Sequence, residues 1–217
     1  GMWRQNRFVF FRGQGDFSWE LTPKAGRKEW KVESDRKLFR AWVKWATSDH
    51  SISECSEELH LLAIAQHHGL ATRLLDWSRN PLAALYFSVS AEDGSDGALF
   101  VLETTKNQMP DSRSLHEDDD SFWHIEPSTV TPRIGRQVGA FTVHNPPGLN
   151  LEEFKKHNSN NIKNVEKYIV PAGRKEMIRR ELSFLQVHEY SLFPDLDGLA
   201  RHFNWLSKID VKFEDVE

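Results

Sequence analysis

The chain has 217 residues, 39% hydrophobic and 28% charged, with a formal net charge of −4 and a pI near 6.2. That balance excludes a protein that coats nucleic acid by bulk positive charge, although it allows a local basic pocket. A single cysteine, Cys55, excludes an internal disulfide and a cysteine-based metal site, and no apolar run approaches the ~20 residues of a membrane helix.

The first residues, Gly1-Met2-Trp3-Arg4, hold no apolar h-region, so no secretory signal is expected, and Gly1 reads as a tag remnant. Arg7 to Arg12 is short, aromatic and β-prone, which predicts a strand ended by Gly13 and Gly15. Ser34 is a candidate cap for a helix carrying Leu38, Phe39, Trp42, Val43 and Ala46 on one face. The polar stretch 48–53 breaks it. Ser56-Glu57-Glu58 then opens a second helix with acids in its first turn and Gly69 at its C-cap. Thr72 to Trp77 is a connector or short strand. Asn80-Pro81 starts a third helix, and Leu82 to Ser90 is apolar enough to be buried.

A turn at 93–97 precedes a buried strand over Ala98 to Leu102. Asn107 to Ser121 reads as a surface loop. Strands are expected over Val138 to Val143 and Tyr168 to Val170, with a short helix over Leu151 to His157 between them. Pro171 opens a helix with Met177, Ile178, Leu182 and Leu185 on one face, and Asp195 to Leu206 is a last helix with an acidic start. No linker divides these elements. The expectation is a single α+β domain over 1–217, core about 8–203, with a mixed or antiparallel sheet of short strands packed with several helices.

Two blocks concentrate polar groups among apolar ones. The first is Phe11-Arg12-Gly13. The second runs from Ala65 to Trp77 and holds Gln66, His67, His68, Thr72, Arg73 and Asp76. Buried polar groups need partners, so the pattern predicts a lined pocket, most simply for an anion. Arg12 either pairs with a carboxylate or grips a phosphate, for which a planar guanidinium is suited, with Gly13 allowing close approach of the ligand. Arg73 and Asp76 either pin the connector as an ion pair or place Arg73 beside Arg12 in an anion site.

His67 and His68 are candidates for proton transfer or for hydrogen bonds to backbone or Asp76. His60 lies two turns before His67, but the spacing matches no known zinc motif, and no metal is expected. Arg133, Arg136 and Gln137 are either additional pocket groups or a solvated face. Asp118 to Asp120 read as a solvated loop. His124 and Glu126 form a weak pair. Gly-x-Ser-x-Gly, P-loop and Gly-x-Gly-x-x-Gly motifs are all absent from the sequence.

These blocks resemble the FRG domain, named for the tripeptide. Phe11-Arg12-Gly13, Gln66 to Trp77, Asn80-Pro81 through Phe87, and Arg133 with Gln137-x-Gly139-x-Phe141 carry the resemblance. So do Tyr168 to Pro171 and Phe193 to Ala200. The resemblance implies a domain of bacteria and their phages and no established activity; the single cysteine fits a reducing cytoplasm, and a role in phage defence belongs to the enzyme reading below. A weaker similarity is to ADP-ribosyltransferase-like folds, in which an arginine after an aromatic strand holds a phosphate of NAD. There Arg12 matches the arginine, and Tyr86-Phe87-Ser88 looks like the segment that packs on nicotinamide. That similarity implies NAD as cofactor, a protein or nucleic-acid acceptor, and Ser88 with a glutamate on a later strand as catalytic groups; the sequence departs from the pattern around 137–141, where no glutamate stands, and Glu103 and Glu126 are imperfect substitutes. Two readings stay open: an enzyme of that type, or a module that binds a nucleotide or partner without turnover.

Overall fold

The computed structural model describes residues 7–30, 34–46, 48, 52, 57–91, 94–105, 121–125, 139–157 and 161–209. Among them lie six strands: β1 (Arg7–Gln14), β2 (Leu74–Ser78), β3 (Gly97–Thr105), β4 (Phe122–Ile125), β5 (Gly139–His144) and β6 (Ile162–Val170). The helices are α1 (Asp35–Ala46), α2 (Glu58–His67), α3 (Pro81–Val89), α4 (Leu151–His157), α5 (Ala172–Phe184), α6 (Glu189–Leu192) and α7 (Leu196–Lys208), with a 3-10 turn at Lys24–Gly26. All six strands join one antiparallel sheet in the order β4-β5-β2-β1-β3-β6. The expected α+β class holds, and the sheet is wholly antiparallel among the described residues.

Local chemistry sets several boundaries. The Ser34 hydroxyl accepts from the Lys37 amide at 3.3 Å as α1 begins. Asn80 Oδ1 accepts from the Leu82 amide at 2.9 Å, and Pro81 follows it at a position where the missing N–H costs nothing. Asp195 Oδ1 accepts from the Gly198 amide at 2.6 Å to start α7. Gly69, at φ +91°, makes the left-handed turn that closes α2.

Three apolar clusters follow from the alternation of side chains along the strands. On one face, Phe10, Leu75, Trp77, Phe100 and Leu102 pack with Leu151 and Phe154 of α4. On the other, Leu74, Phe141 and Val143 pack with Phe39 of α1 and Leu62, Ala63 and Ala65 of α2. A third cluster joins Ala83, Tyr86 and Val89 of α3 to Leu182 of α5 and Leu192 of α6. Lys175 is buried in α5, and its ammonium donates to the Gly15 carbonyl at 2.7 Å, which ties α5 to the end of β1.

Some expectations are corrected. β1 does not stop at Gly13; it continues through Gly13 to Gln14, paired with β3 along its whole length. β6 begins at Ile162 rather than Tyr168, because an edge strand with exposed polar residues shows little alternation. Met177 and Leu185 face solvent, while Ile178 and Leu182 point into the protein. The loop read over 107–121 lies outside the described residues except for Ser121.

One break in the sheet prepares the site. β1 is in register with β3 at eight positions but with β2 at only one, Phe11 opposite Ser78. Beyond that pair the two strands part, and Arg12 is the next residue of β1.

Candidate functional site

Arg12 sits in the gap between β1 and β2. Its Nη1 donates to the Asp76 carbonyl at 2.6 Å and lies 3.8 Å from the Asp76 carboxylate. Its Nε is buried with no hydrogen-bond partner among the described residues. The side chain is 16% exposed, so the guanidinium is packed tightly yet reaches solvent. Burial lowers its pKa from the usual arginine value, Asp76 opposes that shift, and Arg27 adds to it. An arginine stays charged across any physiological pH even so.

The Asp76 carboxylate is held in turn. Gln66 Nε2 donates to Asp76 Oδ1 at 2.7 Å, and the buried Thr72 hydroxyl donates to Gln66 Oε1. The order Thr72–Gln66–Asp76–Arg12 fixes the Gln66 amide, because its oxygen faces a hydroxyl donor and its nitrogen a carboxylate.

Two recesses meet at this network. The first, about 280 Å³, lies between α2 and α3 over the sheet. Phe11, Phe87 and Phe141 supply aromatic groups, and Arg12, Gln66, His67 and Asp76 supply polar ones. Its volume is near the lower edge of the ~300–1,000 Å³ common for small-molecule sites. The second, about 160 Å³, is lined by Arg12, Lys24, Arg27, Gln66 and Asp76 together with Gly69 and the Leu70, Leu74 and Leu75 side. Arg12, Gln66 and Asp76 therefore border both.

The remaining expected site residues are placed as follows. His67 lines the first recess, while His68 is exposed at the end of α2, its ring edge-on to His67 at 5.1 Å. Arg73 is not beside Arg12. It is buried and bidentate to Asp35, with both N–O distances at 2.6 Å, and also donates to Asn145 Oδ1. Nor does it pair with Asp76, whose cation is Arg12. The expectation of a second pocket arginine at position 73 is thus corrected: its donors already meet acceptors from α1 and the residue after β5.

Tyr86 points away from the recess, and its hydroxyl donates to the Glu189 carboxylate. Ser88 is fully buried and donates to the Leu85 carbonyl at 2.7 Å, so its hydroxyl is used within α3. Glu103 stands on β3 opposite Val9, farther along the strand than Val101, the partner of Phe11, and lines neither recess. Gly13 lines the first recess, but its missing side chain serves packing. A Cβ there would meet the Ala84 carbonyl oxygen at 1.8 Å.

Arg133, Arg136, Gln137, Glu126 and Asp118 to Asp120 lie outside the described residues. His60 Nδ1 is 3.8 Å from the Glu57 carboxylate, and no cluster of three or more metal-ligating side chains exists among the described residues. No helix among them is long and apolar enough to cross a membrane.

Lys24 and Arg27 were not anticipated. Lys24 opens the 3-10 turn Lys24–Gly26 and Arg27 follows it, and the only sequence signal was a pair of basic residues in a Pro-Lys-Ala-Gly-Arg turn. Phe87 and Phe141 read as core residues, and only the packing of α3 and β5 turns them toward the recess.

The FRG domain family model matches residues 7–97, from the first residue of β1 to the first of β3. Over that span the chain is similar to the FRG domain. No curated protein and no solved structure matches the chain. The matched span includes both polar blocks and, among the described residues, the polar ones bordering the two recesses: Arg12, Lys24, Arg27, Gln66, His67, Asp76 and Ser78. The resemblance read beyond residue 97, including Arg133, Tyr168 to Pro171 and Phe193 to Ala200, lies outside the FRG match. In the fold the two parts are not separable, because β1 of the matched span is flanked by β2 on one side and by β3 on the other.

Proposed function

We propose that the recess between α2 and α3 binds a nucleotide-like ligand, with an aromatic ring among Phe11, Phe87 and Phe141 and a phosphate on Arg12. One observation carries this reading: Arg12 stands in the break of the sheet, its buried Nε without a partner among the described residues, and borders a recess that Phe11, Phe87 and Phe141 also line. An arginine with spare donors next to stacking surfaces is the pairing that phosphate and base recognition uses.

NAD and ADP are the first ligands to try, by calorimetry. Arg12→Gln should weaken binding at least about tenfold, as loss of a charge-assisted hydrogen bond does, and Arg12→Lys should restore part of it. Phe87→Trp, which fills the recess without touching Arg12, should also abolish binding. Wild-type affinity in both Arg12→Gln and Phe87→Trp would remove the proposal.

A transferase of the ADP-ribosylating type is the second reading. It is favoured by a carboxylate, Asp76, held beside Arg12 at the recess, since such chemistry needs an anion near the developing ribosyl cation. Ser88 and Glu103 have no part in it, because neither borders the recess. Incubation with NAD, with nicotinamide followed by mass spectrometry, separates the readings. Release that disappears in Asp76→Asn supports transfer; tight binding without release leaves a binding module.

A further inference from the structure

We propose that the cationic recess behind Arg12, bounded by Lys24 and Arg27, is a second phosphate subsite, so that the domain selects a diphosphate over a monophosphate. This rests on, and extends, the reading of the Arg12 recess as a nucleotide site. Among the described residues, three cations border this recess of about 160 Å³ against one carboxylate, Asp76. That carboxylate is shared with Gln66 and is 61% exposed, so it neutralises little of the positive charge around it.

The basic side chains are held in place by their surroundings rather than by acids. Lys24 Nζ donates to the Gly69 carbonyl at 2.8 Å and lies 4.4 Å over the Trp30 ring. Arg27 Nε donates to the Thr22 carbonyl at 3.1 Å. Each of these bonds uses one donor of a group that has three or five. Like charges gathered in a half-buried hollow repel one another, and a bound anion turns that repulsion into attraction. Arg12 borders both recesses. A phosphate seated on Arg12 from the aromatic side therefore leaves the next phosphate of the chain at the Lys24–Arg27 side. A nucleoside monophosphate cannot use both.

Calorimetry with inorganic phosphate, inorganic pyrophosphate, AMP and ADP tests this. ADP should bind at least about tenfold tighter than AMP, and pyrophosphate tighter than phosphate by a similar factor, at low ionic strength. Lys24→Met and Arg27→Met should each weaken ADP and pyrophosphate about tenfold while leaving AMP within about twofold. Arg180→Met, which removes an exposed arginine of α5, should change none of them. If Lys24→Met fails to fold for want of its bond to Gly69, Arg27→Met alone decides.

Equal affinity for AMP and ADP, with both variants inert toward ADP, overturns the subsite and leaves the nucleotide reading standing. Pyrophosphate held through Lys24 and Arg27 without any nucleotide binding upholds the subsite and overturns the nucleotide reading. Binding of none of the four overturns both.

Discussion

Gly13→Ala should destabilise the fold strongly, and the reason is packing rather than backbone freedom. An ideal Cβ at position 13 would stand 1.8 Å from the Ala84 carbonyl oxygen, 2.6 Å from the Ser88 amide nitrogen and 2.9 Å from the Ala84 carbonyl carbon. All three are backbone atoms of α3, so no rotamer change relieves them. Ordinary contact needs more than 3.4 Å, so α3 must retreat from β1 by about 1.5 Å or the strand must bend. Either movement loosens Ala83, Tyr86 and Val89 from α5 and α6. Overpacking of this kind costs ~3 kcal/mol or somewhat more. For a chain of this length that lowers the melting temperature by about 6–12 °C.

Thermal and urea unfolding followed by far-ultraviolet circular dichroism measure the change. Gly173→Ala is the control. It lies in the first turn of α5 with nothing within 4 Å of an added Cβ, and it should be neutral or stabilising by up to ~1 kcal/mol. A Gly13→Ala protein that melts within about 2 °C of wild type would refute the close approach of α3 to β1. It would return Gly13 to the role of admitting a ligand.

Two further outcomes are expected. Arg73→Met leaves the Asp35 carboxylate buried without its bidentate partner and should cost about 3–5 kcal/mol in urea unfolding, whereas the double variant Arg73→Met, Asp35→Leu should recover much of it; an additive double variant would deny the pairing. His144 and His124 are each pushed down to about 4, chiefly by burial, so the folded protein keeps them neutral. Their contribution is complete above the unfolded value of 6.5 and is lost as pH falls toward 4. Between pH 7 and pH 5 each should remove about 2 kcal/mol of stability. Unfolding curves of His144→Gln across that range should be flatter than wild type, and parallel curves would show that His144 is not held neutral.

The sense of the His144 tautomer follows from the same geometry. The Leu149 carbonyl, 3.2 Å from Nδ1, is an acceptor, so Nδ1 carries the proton. Nε2 then accepts from the Thr142 hydroxyl at 3.0 Å, and that oxygen accepts from Trp77 Nε1 at 3.0 Å. Trp77 is fixed in this way on the α4 face of the sheet, beneath the strands that floor the first recess.

Much of this architecture could be read from residues alone. Short-range chemistry announces itself locally: the Asn80-Pro81 start of α3, the Asp195 cap of α7 and the Gly69 turn each depend on neighbours within a few positions. The crowding of Gln66, Thr72 and Asp76 among apolar residues likewise signalled a polar network, and the FRG match falls on it. What the sequence does not carry is the direction in which a polar side chain is spent. Arg12 and Arg73 look alike in the chain, yet one meets Asp35 and Asn145 in the interior while the other stands in a gap with a donor to spare. That gap exists because β1 and β2 pair at a single position, a matter of how β2 turns toward β5. Lys24 and Arg27 reach the same place only because the chain after β1 folds back past the end of α2, where Lys24 meets Gly69. Partners distant in sequence have no local signature, and so the polar residues were legible while their assembly into a site was decided by the tertiary fold.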